Sequence, residues 1–221
     1  LLLVRDSPDC PELQRAGDSA PGGRGEGLSR PLLGMVLLSA FLTGGPCGPG
    51  FSHLTVLYTS AGFSSGTAAL LMSYLGLVLI AAKVLYGWLS DRLGSRMANS
   101  LIFGVFLAGF ALCCLAPTRS LPLAAAAITL TGLGMPLSSV TLSVWAGDLS
   151  APEDYDRLVK WLSSAYMLGS LVTGPVPGLL ADRFGGSYVP AYGLFLFFLL
   201  ISMLLIQTVY RRTGVGGRPQ R

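Results

Sequence analysis

Gly87-Trp88-Leu89-Ser90-Asp91-Arg92-Leu93-Gly94-Ser95-Arg96 is a short charged stretch set between two long apolar runs, and its reading decides the fold. Gly87 opens it, Asp91 and Arg92 put opposite charges side by side, Gly94 permits a backbone reversal, and Arg96 stands where a following helix begins. A reversal of this kind between apolar runs is a hairpin held in water at the edge of a membrane.

The runs on either side support that reading. The chain is 52% hydrophobic and only 12% charged, where an ordinary soluble domain carries roughly a quarter charged residues. Apolar stretches of about 20 residues, enough for one crossing of a ~30 Å hydrocarbon core, recur six times. They run from Pro31 to Tyr58, Ser64 to Trp88, Met97 to Ala116, Leu121 to Trp145, Leu158 to Ala181 and Tyr188 to Tyr210. The expected fold is therefore an all-α membrane protein with six transmembrane helices, residues 31–210. Lipid bilayer surrounds it, and no nucleic-acid partner is expected.

Outside those runs the composition changes. Leu1 to Val4 reads as the end of a preceding transmembrane helix. Residues 5–30, rich in Gly, Pro, Ser and charge, read as a flexible cytoplasmic linker that cannot bury enough apolar surface to order itself. Residues 211–221 form a cytoplasmic tail. Within the first run, Gly44-Gly45-Pro46-Cys47-Gly48-Pro49-Gly50 predicts a kinked or broken helix. Ser150-Ala151-Pro152-Glu153 has the form of a capping box opening a short helix before the fifth run.

Orientation follows from the basic residues, which favour the cytoplasmic side of short loops. Twelve Lys and Arg lie in the termini and in the connections on their side; Arg119 and Arg183 alone lie opposite. Both termini and the opening turn are thus expected to be cytoplasmic, in a multi-pass protein of the plasma (inner) membrane.

The opening turn has a distant copy. Gly178-Leu179-Leu180-Ala181-Asp182-Arg183-Phe184-Gly185 repeats the G-x-x-x-D-R-x-G skeleton of Gly87 to Gly94 at an offset of 91 residues. Three runs separate the copies, so they belong on opposite faces of the membrane. The same offset carries Pro31 onto Pro122, ahead of the fourth run. Three helices followed by three of inverted topology is the arrangement of many secondary transporters.

Gly87-x-x-x-Asp91-Arg92-x-Gly94-x-Arg96 resembles the G-x-x-x-D-R-x-G-R-R loop of the major facilitator superfamily, with Ser95 in place of the first closing basic residue. Gly169 through Gly174-Pro175-Val176-Pro177-Gly178 to Asp182, Gly185 and Tyr188 resembles helix 11 of the monocarboxylate and oxalate/formate porter branch. The resemblance implies that the six runs are helices 7 to 12 of a twelve-helix transporter. An N-terminal six-helix half would then be their partner, and a six-helix protein pairing with itself is the alternative.

Lys83 is the one full charge well inside an apolar run, and ionisable residues there are functional by default because burying them is costly. Helical spacing puts it on a face with Ser73, Gly76, Gly87 and Asp91, with Leu71, Leu77, Val78 and Trp88 opposite. Lys83 is accordingly expected to point into the protein and hold a substrate carboxylate. The resemblance places a basic substrate-binding residue at this position in monocarboxylate-type porters; the acidic partner of that family one turn earlier is replaced by Leu79. The competing reading is snorkelling to cytoplasmic water, five residues before Trp88.

Tyr58, Tyr74 and Tyr166 are candidate donors to an anion. His53, in the broken run, is a candidate substrate or proton-coupling residue. Gly87, Asp91, Arg92, Gly94 and Arg96 are assigned to gating. Gly174, Pro175, Pro177 and Gly178, with Asp182 beyond them, are assigned to kinking and close packing of the fifth helix. No His/Cys/carboxylate cluster has metal-ligand spacing, and the cysteines read as small buried hydrophobes. No cofactor and no catalytic residue are expected. The expected function is secondary active transport of a small organic anion, with a proton as coupling ion. A multidrug or sugar porter, or a non-transporting receptor or assembly protein on the same scaffold, is the alternative.

Overall fold

The structure, a computed structural model, describes residues 28–215. The expected helix end at 1–4, the linker as far as residue 27, Cys10 and the last six residues of the tail lie outside the described residues.

The first segment begins with α1 (Arg30–Gly45), which carries Pro31 in its first turn, where a missing N–H costs no hydrogen bond. It passes through a π-helical turn, Pro46–Gly50, with Pro49 inside it, and ends in α2 (Leu54–Ser60). The break sits where the Gly/Pro run predicts it. The Gly50 carbonyl there is satisfied by the Tyr192 hydroxyl at 2.7 Å, as irregular backbone at membrane depth requires.

The second segment is α3 (Ser65–Leu93), 29 residues long. The Ser64 hydroxyl caps it by accepting the Thr67 N–H at 3.1 Å. Gly94 then turns the chain at φ +81°, a region that glycine alone enters without strain, and α4 (Ser95–Cys113) follows directly. The fourth segment is not the single unbroken run expected. Gly134-Met135-Pro136 interrupts it, giving α5 (Leu121–Gly134), a 3-10 turn Met135–Ser138 and α6 (Val140–Leu149).

The fifth segment departs furthest from six equal crossings. Among the described residues, five helical stretches are long and apolar enough to cross a membrane: Arg30–Gly50, Ser65–Leu93, Ser95–Cys113, Leu121–Ser138 and Val189–Thr213. The fifth segment is divided between α7 (Tyr155–Thr173), which opens with Asp156, Arg157 and Lys160, and α8 (Val176–Arg183), with the break at Gly174-Pro175. The expected capping box is corrected as well. The Ser150 hydroxyl turns back to the Ala146 carbonyl at 2.7 Å, and the chain makes only a 3-10 turn, Pro152–Asp154, before α7. The sixth segment is α9 (Val189–Thr213).

Packing shows the inverted repeat directly. The first segment packs on the fifth and sixth, and the fourth packs on the second and third. Exchanging first with fourth, second with fifth and third with sixth leaves this neighbour pattern unchanged, with α4 against α9 as the self-related pair. Helix breaks obey the same exchange, since Pro46–Gly50 shifted by 91 residues falls on the interruption around Met135–Ser138. Gly94 and Gly185, also 91 residues apart, both adopt positive φ.

The core lies at the seam between the units. Phe110 packs on Tyr192 at 5.4 Å between ring centroids, with Phe106 edge-on to it at 4.9 Å. Backbones approach most closely where α1 crosses α7: a Cβ on Gly169 would lie on the Phe41 carbonyl, and one on Gly44 on the Tyr166 carbonyl. The close approach expected of Gly174 and Gly178 is thus made by Gly169 instead; a Cβ on Gly178 would meet nothing within 4 Å. Cys47 and Cys113 are buried, Cys114 is half-buried, and all three are free thiols, in line with their reading as small hydrophobes.

Candidate functional site

α3 turns one stripe into the core: Ala68, Leu71, Leu75, Val78, Ala82 and Tyr86, spaced three and four residues apart. This corrects the expected orientation. Leu71 and Val78 are buried within the bundle rather than facing lipid, while Lys83 stands a quarter-turn away from the buried stripe and is exposed. α3 also continues to Leu93 rather than stopping at Trp88, so Lys83 lies ten residues from its end, ~15 Å along the axis at ~1.5 Å per residue. That lengthens the path by which its ammonium would reach water at the helix end.

On the same side of α3, a groove of about 350 Å³ opens between the first and second segments. Met72, Gly76 and Leu79 supply one wall, and Phe51, Ser52 and Thr55 the other. Gly76 makes the opening, since a Cβ there would meet nothing within 4 Å. Lys83 follows Leu79 by one turn and Gly76 by two, so it stands in line with the groove toward the Gly94 end. The Ser52 hydroxyl is donated to the Gly48 carbonyl at 3.0 Å, so the Thr55 hydroxyl and, one turn beyond the groove, the Lys83 ammonium are the donors on this side for a small carboxylate with a short apolar body.

The other candidate residues are dispersed. Tyr74 is exposed and its hydroxyl meets Thr129 Oγ1 at 2.9 Å on α5. Tyr58 has no exposed surface; its hydroxyl lies 3.8 Å from Cys113 Sγ and its ring meets Phe63 edge-on. Tyr166 is buried against the first segment. His53 precedes α2, where its Nδ1 lies 2.9 Å from the Pro49 carbonyl and its ring stacks on Tyr188 at 6.0 Å. It belongs to the end of the bundle away from Gly94, so the structure does not bring it together with Lys83.

In the opening turn, the Arg92 guanidinium lies 4.8 Å above the Trp88 ring, Asp91 is exposed, and Gly94 is buried. Asp182 and Arg183 end α8 in the same exposed manner on the opposite face. Gly87 is half-buried with open space around it.

One polar cluster escaped the sequence reading. Tyr86 donates to Asn99 Oδ1 at 2.7 Å, Asn99 Nδ2 donates to the Tyr210 hydroxyl at 3.2 Å, and Tyr210 donates to Asp148 Oδ2 at 2.7 Å. The chain of bonds ties α3, α4, α9 and α6 together at the Gly94 end. Thr141 Oγ1 and Trp145 Nε1 are buried on α6 without a hydrogen-bond partner. Asp148 was missed because the fourth apolar run ends at Trp145, whereas α6 carries on to Leu149. The available signal was Asn99, the chain's sole asparagine, set a few residues inside an otherwise apolar run.

An all-α bundle of two inverted three-segment units, with an open groove between the first two segments, is the architecture of membrane transporters built from inverted repeats. The profile of the Major Facilitator Superfamily matches residues 27–220, and the chain belongs to that superfamily. Among curated proteins it is similar to monocarboxylate transporter 12 of Rattus norvegicus, 28% identical over 162 residues that cover 72% of this chain and 33% of the relative. The Homo sapiens protein of the same name is 28% identical over 72% of this chain and 31% of its own length. The Xenopus laevis protein is 25% identical over 81% of this chain and 39% of its own length. The chain thus spans about a third of the length of these relatives.

Proposed function

We propose that this chain forms the C-terminal six-helix unit of a secondary transporter that moves a small organic anion, of monocarboxylate or dicarboxylate type, by alternating access. The observation that carries the reading is Lys83, exposed at membrane depth in line with the Ser52/Thr55 groove. The names of the relatives, all monocarboxylate transporters, agree with a cationic contact for a carboxylate. The groove supplies one wall of the path and an N-terminal six-helix half supplies the other.

In this reading the ammonium and the Thr55 hydroxyl engage the carboxylate while Leu79, Met72 and Phe51 take its apolar part. The absence of an acid at Leu79 leaves the stretch of α3 beside the groove without a carboxylate next to Lys83 to carry a coupling proton, so a proton-binding group on the N-terminal half serves that step. The turns at Asp91 and Asp182 act at opposite membrane faces, pairing across the interface between halves in one state and separating in the other. Both termini lie in the cytoplasm.

The test is uptake of labelled organic anions by the full transporter in proteoliposomes. Lys83→Ala is expected to lower uptake about 10- to 100-fold, matching the ~1.5–3 kcal/mol of a hydrogen bond to a charged group, with Lys83→Arg retaining most of it. An inward proton gradient is expected to raise uptake. Unchanged uptake in Lys83→Ala contradicts the anion reading and returns Lys83 to a snorkelling role.

A further inference from the structure

We propose that Gly76 is the size-selecting residue of the groove beside Lys83: its missing side chain is the space that receives the apolar body of the substrate. The proposal rests on the anion reading above and adds to it a limit on substrate length. Glycine in the middle of the 29-residue α3 is unfavourable in a helix relative to alanine. In membrane helices the usual compensation is close approach of a neighbour, as at Gly169 and Gly132, where an added Cβ would strike the Phe41 carbonyl and the Val78 side chain. Gly76 has no such contact: a Cβ there would meet nothing within 4 Å, and the residue is exposed.

What Gly76 does border is the groove of about 350 Å³. The facing wall, Phe51, Ser52 and Thr55, belongs to this same chain, so the space in front of Gly76 is bounded on two sides before any partner half is added. On the α3 side the groove is apolar, with Met72, Leu75 and Leu79 around the glycine. Such a surface favours the hydrocarbon part of a ligand and offers nothing to a second charge.

Position along α3 gives that space its use. Met72, Gly76, Leu79 and Lys83 follow one another at three- and four-residue steps and fall within a sector of about 60° around the helix. Gly76 precedes Lys83 by two turns, ~10 Å along the axis at ~1.5 Å per residue. The Cα–Cβ bond of a helical residue tilts toward the helix N-terminus, so the Lys83 stem leaves α3 in the direction of Leu79 and Gly76 and away from the Gly94 end. A carboxylate on that ammonium then lays its apolar body over Leu79 and into the space at Gly76. Met72 stands one turn further on with an unbranched side chain that can shift, whereas a Cβ at position 76 would be fixed by the backbone. Chain length is thus read at one position: acids that end short of Gly76 are indifferent to what stands there, and longer ones need its empty space.

Binding of straight-chain carboxylates from acetate to hexanoate by the purified full transporter, read from the ligand-induced rise of its unfolding temperature in detergent, tests the assignment. In the parent, affinity is expected to rise about fourfold per added methylene among the longer members, as for one buried methylene. Gly76→Ala is expected to leave acetate unchanged and to weaken hexanoate about fourfold; Gly76→Val is expected to weaken hexanoate about 15-fold, as for two methylenes kept out. Gly104→Val is the control, since a Cβ on Gly104 of α4 also meets nothing within 4 Å and Gly104 lies outside the groove; the parent series is expected to persist in it. Lys83→Ala is expected to weaken every member alike. If the parent binds the series, Lys83→Ala weakens it and both Gly76 variants keep the parent's length dependence, the size role is overturned and the anion reading stands. If the parent binds no member, the anion reading falls and the size role with it. Equal weakening of acetate and hexanoate in both Gly76 variants, or loss of folded protein in both, also overturns the proposal and makes Gly76 a packing contact of the N-terminal half.

Discussion

The two inverted units share a neighbour pattern and differ most at one pair of equivalent positions. Lys83 stands in the second segment; 91 residues on, its counterpart in the fifth is Gly174. The first unit keeps α3 unbroken over 29 residues and places a charge on its open side. The second unit breaks at Gly174-Pro175 into α7 and α8. One scaffold position therefore carries an exposed charge in one unit and a helix break in the other. The lesson is that a repeat fixes where segments touch and leaves open what each exposed position does.

The same holds at the closest contacts, and this gives the largest expected effect. Position 169 corresponds to position 78, and both sit at a close approach: Gly169 against the Phe41 backbone, Val78 against Gly132. Gly169→Ala must push two backbones apart and is expected to cost about 3 kcal/mol or more. Gly132→Ala meets the Val78 and Leu75 side chains, which can give, and is expected to cost about 1–2 kcal/mol. Gly178→Ala, in open space, is expected to be neutral or to stabilise by up to about 1 kcal/mol. Thermal unfolding in detergent reads all three, and equal losses at 169 and 178 would break the comparison.

The buried polar cluster comes next in size. Removing the Tyr210 hydroxyl by Tyr210→Phe leaves Asp148 and Asn99 each short of a partner, at an expected cost of about 1–3 kcal/mol. Asn99→Leu, which also orphans Tyr86, is expected to fall in the same range. The cluster draws Tyr86 and Asn99 from the first unit and Asp148 and Tyr210 from the second; the counterparts 91 residues away, Pro177, Pro190, Leu57 and Arg119, hold no such chain of bonds among the described residues, so Leu57→Ala should cost packing alone. The smallest effect is expected at the opening turn. Arg92→Gln removes the stacking on Trp88, worth about 0.5–1 kcal/mol at an exposed site.

Much of this was legible in the sequence. The apolar runs, the Gly44–Gly50 break and the 91-residue offset each correspond to a simple physical rule about apolar length, proline and glycine. The break at Met135-Pro136 was equally available, because proline in a helix interior removes a bond wherever it occurs, and the repeat itself pointed there. What the sequence withheld was rotation. Leu71 and Leu77 are the same residue to a hydropathy count, but one is buried and the other exposed. In lipid both faces of a helix are apolar, so composition cannot say which one meets protein. Lys83 therefore lay open to assignment in either direction until the buried stripe of α3 was placed.

Leu93 and Phe184 occupy equivalent positions in the two charged turns and both are exposed. Labelling Leu93→Cys and Phe184→Cys in the full protein with a membrane-impermeant thiol reagent, against the parent protein's own cysteines as background, tests the inverted architecture most directly. The account predicts that the reagent reaches one position only from the cytoplasmic side and the other only from the opposite side. Labelling of both from a single side would contradict it.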